Sequence, residues 1–169
     1  NNDFSCEDFF PLPEPLIQKS ISRVMSLRDG TKKMSKSEES DYSRIDLKDS
    51  SDDIIKKIKK AKTDTAPIPD NEKELVNRPE ALNLLNIYSD ITGQSFSEVL
   101  NEMSGKDFSF IKNKLSEALV EVICPIGKKI SHFMQNKDHL VGILKKGSEK
   151  AAIKSEENLK KIREIVGFV

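Results

Sequence analysis

The chain of 169 residues has no tryptophan, only two cysteines and no net charge at pH 7. Cys6 and Cys124 lie far apart, and neither has a second cysteine or a histidine at metal-ligand spacing. The sequence therefore predicts neither a zinc site nor a disulfide framework, and we expect reduced thiols in a cytosolic protein. Because the charges balance, no global basic field attracts nucleic acid, and any polyanion must be bound by a local lysine cluster.

Several longer signals are also missing. No apolar run is long enough to cross a bilayer, and no charged-then-apolar signal opens the chain. Neither the GxxxxGK[ST] pattern nor the GxGxxG pattern occurs, so the sequence supports neither a P-loop nor a dinucleotide-binding fold. The first residue is Asn1 rather than methionine. We expect the chain to begin inside a longer protein.

The residues that are present indicate two kinds of structure. Prolines alternate through "PLPEPLI" at 11–17, which excludes a helix and favours an extended segment. "SRVMSL" at 22–27 has the pattern of a short strand that ends at a turn, and residues 45–47 alternate like a second brief strand. Hydrophobic residues make up 36% of the chain and charged residues 33%. This composition predicts a lean core beneath a charged surface.

From Ser50 onward the apolar residues recur at helical spacing. Pro67 and Pro69 interrupt this pattern, and Pro125 predicts a kink or a break in the longest helix. Six helices are predicted, over residues 50–61, 77–93, 95–103, 108–133, 137–147 and 148–167. The sequence thus predicts a mainly α protein, a helical bundle attached to the edge of a strand-containing domain.

The residues between these two parts read "SLRDGTKKMSKSEES", at 26–40. Two lysines three residues apart, Lys33 and Lys36, stand among small hydroxyl residues. Ammonium groups, hydroxyls and exposed backbone N–H groups together suit a polyphosphate. The alternative is a solvated loop, which is the usual fate of lysine and serine runs.

The letters of this loop resemble a known family. "KMSKS" at 33–37 is the signature loop of class I aminoacyl-tRNA synthetases, and "SRVMSLRDGTKKMSKSE" closely resembles the tryptophanyl-tRNA synthetases. Further stretches resemble the same family, namely "FFPLPEPLI", "RPEALNLLNIYSDITGQS" at 78–95, "KKGSEKA" at 145–151 and "IVGF". The related tyrosyl-tRNA synthetases usually carry an altered loop and an additional RNA-binding module, which favours the tryptophanyl assignment.

The resemblance implies a division of the chain. Residues 1–49 would be the end of a Rossmann-like α/β catalytic domain, and residues 50–169 the α-helical anticodon-binding domain at its C-terminal edge. The N-terminal half of that catalytic domain, with the HIGH-type motif, the tryptophan pocket and most of the dimer interface, is not in this sequence. We therefore expect residues 1–27 to lack some of their packing partners.

The resemblance also implies a reaction. The complete enzyme would use ATP with Mg²⁺ to activate L-tryptophan to tryptophanyl-adenylate, then transfer it to tRNA(Trp). It would be a homodimer without a membrane association, in the cytoplasm or in an organellar matrix. We expect the fragment alone to be inactive. A free-standing helical tRNA- or RNA-binding module derived from a synthetase is the alternative, and a structural helical domain with an accidental "KMSKS" is a third.

Individual roles follow from the same resemblance. Lys33 and Lys36 would be catalytic and neutralise the charge of the departing pyrophosphate, with the Mg²⁺ ion held mainly by phosphates rather than by protein ligands. Ser35 and Ser37 would donate hydrogen bonds. Met34 and the backbone near Val24 would lie against the adenine.

Other residues are given weaker roles. Lys32 lies outside the motif and is interpreted as a solvated neighbour, and Gly30 as a hinge for loop closure. For the run at 56–62 we prefer a solvated helix face to an RNA site. The sequence leaves open whether Lys112, Lys114 and Lys150 contact RNA or solvent, and it predicts ordinary helix and turn positions, not catalytic roles, for His132 and His139.

Overall fold

The computed structural model describes residues 9–16 and 23–168, and it is mainly helical within them. The helices are α1 Ser51–Lys59, α2 Glu72–Leu75, α3 Pro79–Thr92, α4 Phe96–Met103, α5 Phe108–Gln135 and α6 Lys137–Val166, with a 3₁₀ turn at Asp41–Ser43. The predicted mainly α class is therefore confirmed. The chain divides into two compact units, residues 17–131 and residues 1–16 with 132–169.

The hydrophobic core lies in the first unit. It combines Leu27, from the loop region, with apolar side chains of the first five helices and of the segment between α1 and α2. The buried hydrophobic residues are Leu27, Ile54, Ile58, Ala61, Ile68, Leu75, Ala81, Leu84, Leu85, Tyr88, Val99, Leu100, Met103, Phe108, Ile111, Leu115 and Leu119. The segment that leads into the lysine loop is therefore packed into the same core as the helices that follow it.

Helix ends in this unit follow the expected capping chemistry. The Ser50 hydroxyl accepts a hydrogen bond from the Asp53 backbone N–H at 3.2 Å. Ser95 and Glu98 form a capping box, with the Ser95 N–H donating to the Glu98 carboxylate at 2.8 Å. Gly93 ends α3 with φ 71°, a conformation that glycine adopts without strain. These three boundaries are confirmed.

The two predicted strands are wrong for the described residues. Across residues 23–27 the only bridge is an isolated antiparallel pair, Met25 with Lys33. Residues 45–47 make no bridge, because the Asp46 N–H donates instead to the Asp49 carboxylate at 2.9 Å, which turns the chain. Leu47 is also 51% exposed, so the alternation there does not mark a buried face.

Three helix predictions also differ from the structure. The segment predicted as an irregular break ends in the short helix α2, which Asn71 caps by accepting from the Lys73 N–H at 3.0 Å. Of the kink or break predicted at Pro125, the break is wrong because α5 continues through that residue, and the kink stays a prediction. Residues 137–166 form one helix rather than two, since Gly147 does not take the positive φ found at Gly93, Gly105 and Gly167.

Gly127 has a packing role in α5. A Cβ on Gly127 of α5 would lie 2.7 Å from the Leu47 carbonyl oxygen, so the helix backbone touches the segment that follows the lysine loop. This close approach requires glycine.

The second unit contains residues 9–16 and α6. Residues 11–16 are not helical, as the alternating prolines predict, while residue 17 lies outside the described residues. Asn136 caps α6, and Gly167 ends it with φ 75°. No residue of α6 is buried, so the predicted apolar stripe of this helix covers no core within the described structure.

Candidate functional site

The lysine loop, residues 26–40, contains most of a very short hairpin, whose arms are residues 24–26 and 32–34. The Ser26 N–H donates to the Lys32 carbonyl at 2.8 Å, and the Met34 N–H donates to the Val24 carbonyl at 3.0 Å. Met25 and Lys33 face each other between these two bonds. The backbone of Lys33 is therefore fixed by its neighbours, while its side chain is exposed.

The turn itself is organised by Asp29. Its carboxylate accepts hydrogen bonds from the Thr31 hydroxyl at 2.6 Å and the Thr31 N–H at 3.1 Å. These bonds lower the pKa of Asp29 below its usual value. The Lys32 ammonium lies 3.6 Å from the same carboxylate. Lys32, which lies outside the motif, is therefore paired with a carboxylate of its own turn.

The two motif lysines are arranged differently. Lys33 and Lys36 are exposed, and neither forms an ion pair with another residue in the described part of the chain. Between them the Ser35 hydroxyl lies 2.8 Å from the Ser37 hydroxyl and accepts a bond from the Ser37 N–H at 3.3 Å. Both ammonium groups can thus meet an anion without breaking an ion pair to the described residues.

A cleft opens beside this loop. Its volume is about 340 Å³, and it is lined by Arg23, Val24, Lys33, Met34, Ser35, Lys36, Arg44, Ile45 and Asp46. Five of the six residues predicted for the site line this one cleft. Ser37 does not line it and reaches it only through its hydrogen bonds to Ser35.

The far wall of the cleft was not predicted. Arg44 spans Asp41 and Asp46 at 2.9 and 3.2 Å and also donates to the Glu38 carbonyl at 3.2 Å. The acidic and basic residues at 41–46 could have indicated an ion-paired wall, but residues 45–47 were interpreted as a strand. Arg44 differs from Lys33 and Lys36 in that carboxylates of the described chain hold it.

The segment after the loop is fixed to α1 by a buried lysine. The Lys57 ammonium lies 2.7 Å from Asp49 and 2.9 Å from Asp41, and its side chain is only 4% exposed. Burial alone would lower the pKa of Lys57. The hydrogen bonds and charges of both carboxylates raise it by more than burial lowers it, so the net shift is upward. Lys57 is therefore a charged structural residue, although its run was predicted to be solvated.

The loop also rests on the start of α3. A Cβ on Gly30 would lie 2.6 Å from the Pro79 carbonyl carbon and from the Glu80 nitrogen. Gly30 is thus required by close packing, which is a different role from the predicted hinge. The Lys62 ammonium, 2.8 Å from Glu80, lowers the pKa of that carboxyl, with a smaller contribution from a Gly30 backbone hydrogen bond.

Asn83 on α3 holds the other side of the hairpin. Its side-chain oxygen accepts the Met25 N–H at 3.0 Å, and its side-chain nitrogen donates to the Met25 carbonyl at 2.9 Å. Asn83 is 5% exposed. Nothing in the residue spacing pointed to this contact, which joins residues 58 positions apart.

One candidate RNA-contacting lysine has a structural partner. The Lys112 ammonium donates to the Ala61 carbonyl at 2.7 Å and to the Lys59 carbonyl at 3.3 Å, at the C-terminus of α1. Burial lowers the pKa of Lys112. Lys150 is exposed and Lys114 half-buried, which tests neither role.

The histidines lie in the second unit. The His139 ring stacks on Phe133 with centroids 6.2 Å apart, and His132 meets the same ring edge-on at 6.0 Å.

Within residues 9–16 and 23–168 no three His, Cys, Asp or Glu residues are grouped as metal ligands. Among the same residues, no helix combines the length and apolar character needed to cross a membrane.

Known proteins resemble the chain over nearly its whole length. It is 46% identical to the tryptophan–tRNA ligase of Caulobacter vibrioides over 168 residues, which is 99% of this chain and 49% of that protein. It is 47% identical to the tryptophan–tRNA ligase of Rhizobium meliloti over 161 residues, or 95% of this chain and 46% of that protein. The chain therefore spans about half the length of these curated relatives.

Structure and family profile agree with the sequence. The crystal structure of tryptophanyl-tRNA synthetase from Mycoplasma pneumoniae superposes with a TM-score of 0.69 at 27% identity, covering 86% of this chain and 45% of that one. Residues 1–123 match the profile of the family described as tRNA synthetases class I (W and Y). The chain therefore belongs to the class I tRNA synthetases of the tryptophan and tyrosine group.

Proposed function

We propose that this chain is the C-terminal part of a tryptophan–tRNA ligase and supplies its ATP-binding lysine loop. The complete protein would activate L-tryptophan with ATP and transfer it to tRNA(Trp). The observation that carries the proposal is the cleft, which brings together Val24, Lys33, Met34, Ser35 and Lys36 beside the family loop. The named relatives support the choice of tryptophan.

In this reaction the loop would position the phosphates and supply positive charge. The tryptophan carboxylate attacks the α-phosphorus of ATP, the bond to the pyrophosphate breaks, and negative charge grows on the leaving oxygens. Lys33 and Lys36 would neutralise that charge, since both are exposed and have no carboxylate partner among the described residues. Ser35 and Ser37 would add hydrogen bonds, and Met34 with the Val24 backbone would contact the adenine.

Magnesium would accompany the ATP. The cleft contributes one carboxylate, Asp46, which already pairs with Arg44 at 3.2 Å. Such a wall fits an ion that is coordinated by phosphate oxygens and water rather than by a protein cage. The lysine loop then acts on the phosphates directly.

The remaining assignments belong to the same proposal. Residues 1–49 would be the end of the catalytic domain and residues 50–169 the anticodon-binding domain that contacts tRNA(Trp). The complete enzyme would be a homodimer in the cytoplasm or an organellar matrix. The tryptophan pocket would lie upstream of Asn1, so this piece alone should not catalyse activation.

The test is tryptophan-dependent pyrophosphate exchange by the full-length protein. Lys33→Ala and Lys36→Ala should each lower the rate about a hundredfold or more, because each removes a charged hydrogen bond to the transition state. The matched control is Lys32→Ala, whose ammonium pairs with Asp29 on the surface and should matter little. Equal, small effects at all three lysines would return the loop to a solvated surface segment.

The alternative, a free-standing RNA-binding module, makes a different genetic prediction. A ligase has a Rossmann half with a HIGH-type motif encoded before Asn1, whereas a module has a start codon there. Reading the upstream coding sequence separates the two.

A further inference from the structure

Met25 is the point at which the lysine hairpin meets α3. In an antiparallel pair of the type formed by Met25 and Lys33, the bonds across the hairpin come from the neighbouring residues. The N–H and C=O of Met25 therefore face away from Lys33, toward the other edge. At that edge, a third strand would normally satisfy them.

A side chain takes the place of that strand. Asn83 accepts the Met25 N–H at 3.0 Å and donates to the Met25 carbonyl at 2.9 Å, so one amide satisfies both groups. Its nitrogen also lies 3.5 Å from the Ser26 carbonyl. An amide side chain offers an acceptor and a donor side by side without carrying a charge.

Burial makes this pair of bonds consequential. Asn83 is 5% exposed, and a buried amide or peptide group that loses its partner is not rescued by solvent. One turn earlier on α3, Pro79 and Glu80 meet Gly30 at the opposite end of the hairpin. The first two turns of α3 thus contact the hairpin at both ends.

We propose that Asn83 is a positioning residue for the lysine loop. It fixes the Met25 peptide, and Met25 in turn fixes the backbone of Lys33 through the paired hydrogen bonds on either side. The ammonium of Lys33 is then delivered to the phosphates from a fixed base. The inference rests on the proposed function, because the role is defined by the phosphate chemistry of Lys33.

The kinetic experiment uses the full-length protein with Asn83→Leu, which keeps about the same size but removes both the acceptor and the donor that face Met25. We expect kcat for pyrophosphate exchange to fall about tenfold to a hundredfold, as misplacement of a catalytic group does. The KM for tryptophan should change less than about twofold. The matched control is Asn101→Ala on α4, an exposed asparagine, with Asn83→Ala as the second variant.

A double substitution distinguishes positioning from general stability. If Asn83 acts through Lys33, then Asn83→Leu should cost less than about threefold in a Lys33→Ala background. The same fold-loss in both backgrounds would overturn the proposal. So would wild-type kcat in the Asn83→Leu protein.

Hydrogen exchange supplies a measurement that does not depend on activity. The Met25 amide should exchange at least about tenfold faster in Asn83→Ala than in the wild-type protein, because its acceptor is gone. If wild-type protein shows no pyrophosphate exchange but Met25 behaves in this way, the proposed function fails and the contact stands. Unchanged exchange at Met25 overturns the positioning role.

Discussion

Lys57 is the residue in which burial and charge are most tightly combined. Its ammonium contacts Asp41 and Asp49, one on each side of the segment that follows the lysine loop. A lysine is rarely buried unless it is paired. The pair therefore fixes this segment to α1, close to the wall of the cleft that Arg44 and Asp46 form.

Replacing Lys57 by methionine should destabilise the protein. The substitution keeps an apolar stem but leaves Asp49, which is 13% exposed, without its cation. We expect the free energy of unfolding to fall by about 2–3 kcal/mol, below the range for fully buried pairs because Asp41 is 60% exposed. Denaturant titration measures this. Lys56→Met, on the exposed face of the same turn, should stay within about 0.5 kcal/mol, and an equal loss there would contradict the argument.

The start of helix α3 is connected to two other segments of the chain. Besides its contacts with the hairpin, its N-cap residue Arg78 binds the Asp64 carboxylate with two nitrogens, at 2.7 and 2.8 Å. Arg78 also donates to the Ala66 and Pro67 carbonyls at 2.7 and 2.8 Å. The proline-rich segment before α2 is therefore attached to α3 rather than loose.

This attachment should depend on pH. The hydrogen bonds from Arg78 are the largest cause that lowers the pKa of Asp64 below its ordinary value of 3.8. A lowered folded-state pKa means that the stabilisation is present above pH 3.8 and is lost as the pH falls through the folded value. Because Asp64 is 44% exposed, we expect less than about 1 kcal/mol after solvent screening.

The measurement is the free energy of unfolding between pH 7 and pH 2. Asp64→Asn should be less stable than wild type at neutral pH and should show a shallower loss in acid. Asp70→Asn, exposed in the same segment, is the control and should follow the wild-type curve. Parallel curves for wild type and Asp64→Asn would contradict the assignment.

At this scale, the sequence predicted helices well where local signals agree. The helix boundaries predicted at residues 93 and 95 depend on neighbouring residues alone, namely the positive φ of Gly93 and the capping box of Ser95 with Glu98. Prediction failed where an outcome depends on distant partners. Gly147 has the sequence of a stop but keeps a helical backbone, and the strand expected at 23–27 meets an asparagine instead of another strand.

In the candidate site, too, the sequence predicted what depends on neighbouring residues and missed what depends on distant ones. Five of six predicted residues line one cleft, because consecutive residues of a loop stay together whatever the rest of the chain does. Arg44, Lys57 and Asn83 were missed, since their roles arise only when separate segments fold together. Residues 25–27, expected to lack partners, find them within this chain. The rest of residues 1–27 lies partly outside the described residues.

For the whole molecule, stability should be distributed unevenly. Within residues 9–16 and 23–168, the buried hydrophobic residues run from Leu27 to Leu119, and α6 contributes none of them. Elements with few buried apolar contacts open at lower free energy than elements in a core. The first unit and the second should therefore differ in their protection against exchange with solvent.

Native-state hydrogen exchange of the chain checks this expectation. Amides in α3 and in the first half of α5 should exchange through the largest opening free energies, and those of α6 through smaller ones. Both helices end at a glycine with positive φ, but only α3 contributes buried residues, so the comparison between them tests the effect of burial. Equal protection of the two helices would show that α6 has a core that the described contacts do not reveal.

The base of the lysine loop is made almost entirely of main-chain atoms. The bonds of Ser26, Leu27 and Met34 each use a backbone N–H and a backbone carbonyl. Any amino acid except proline supplies these groups. Side chains whose only role is to carry these backbone groups can therefore change without displacing the loop. Asp29, Gly30 and Asn83 are exceptions, because the side chains of Asp29 and Asn83 make hydrogen bonds of their own and Gly30 has no room for a Cβ.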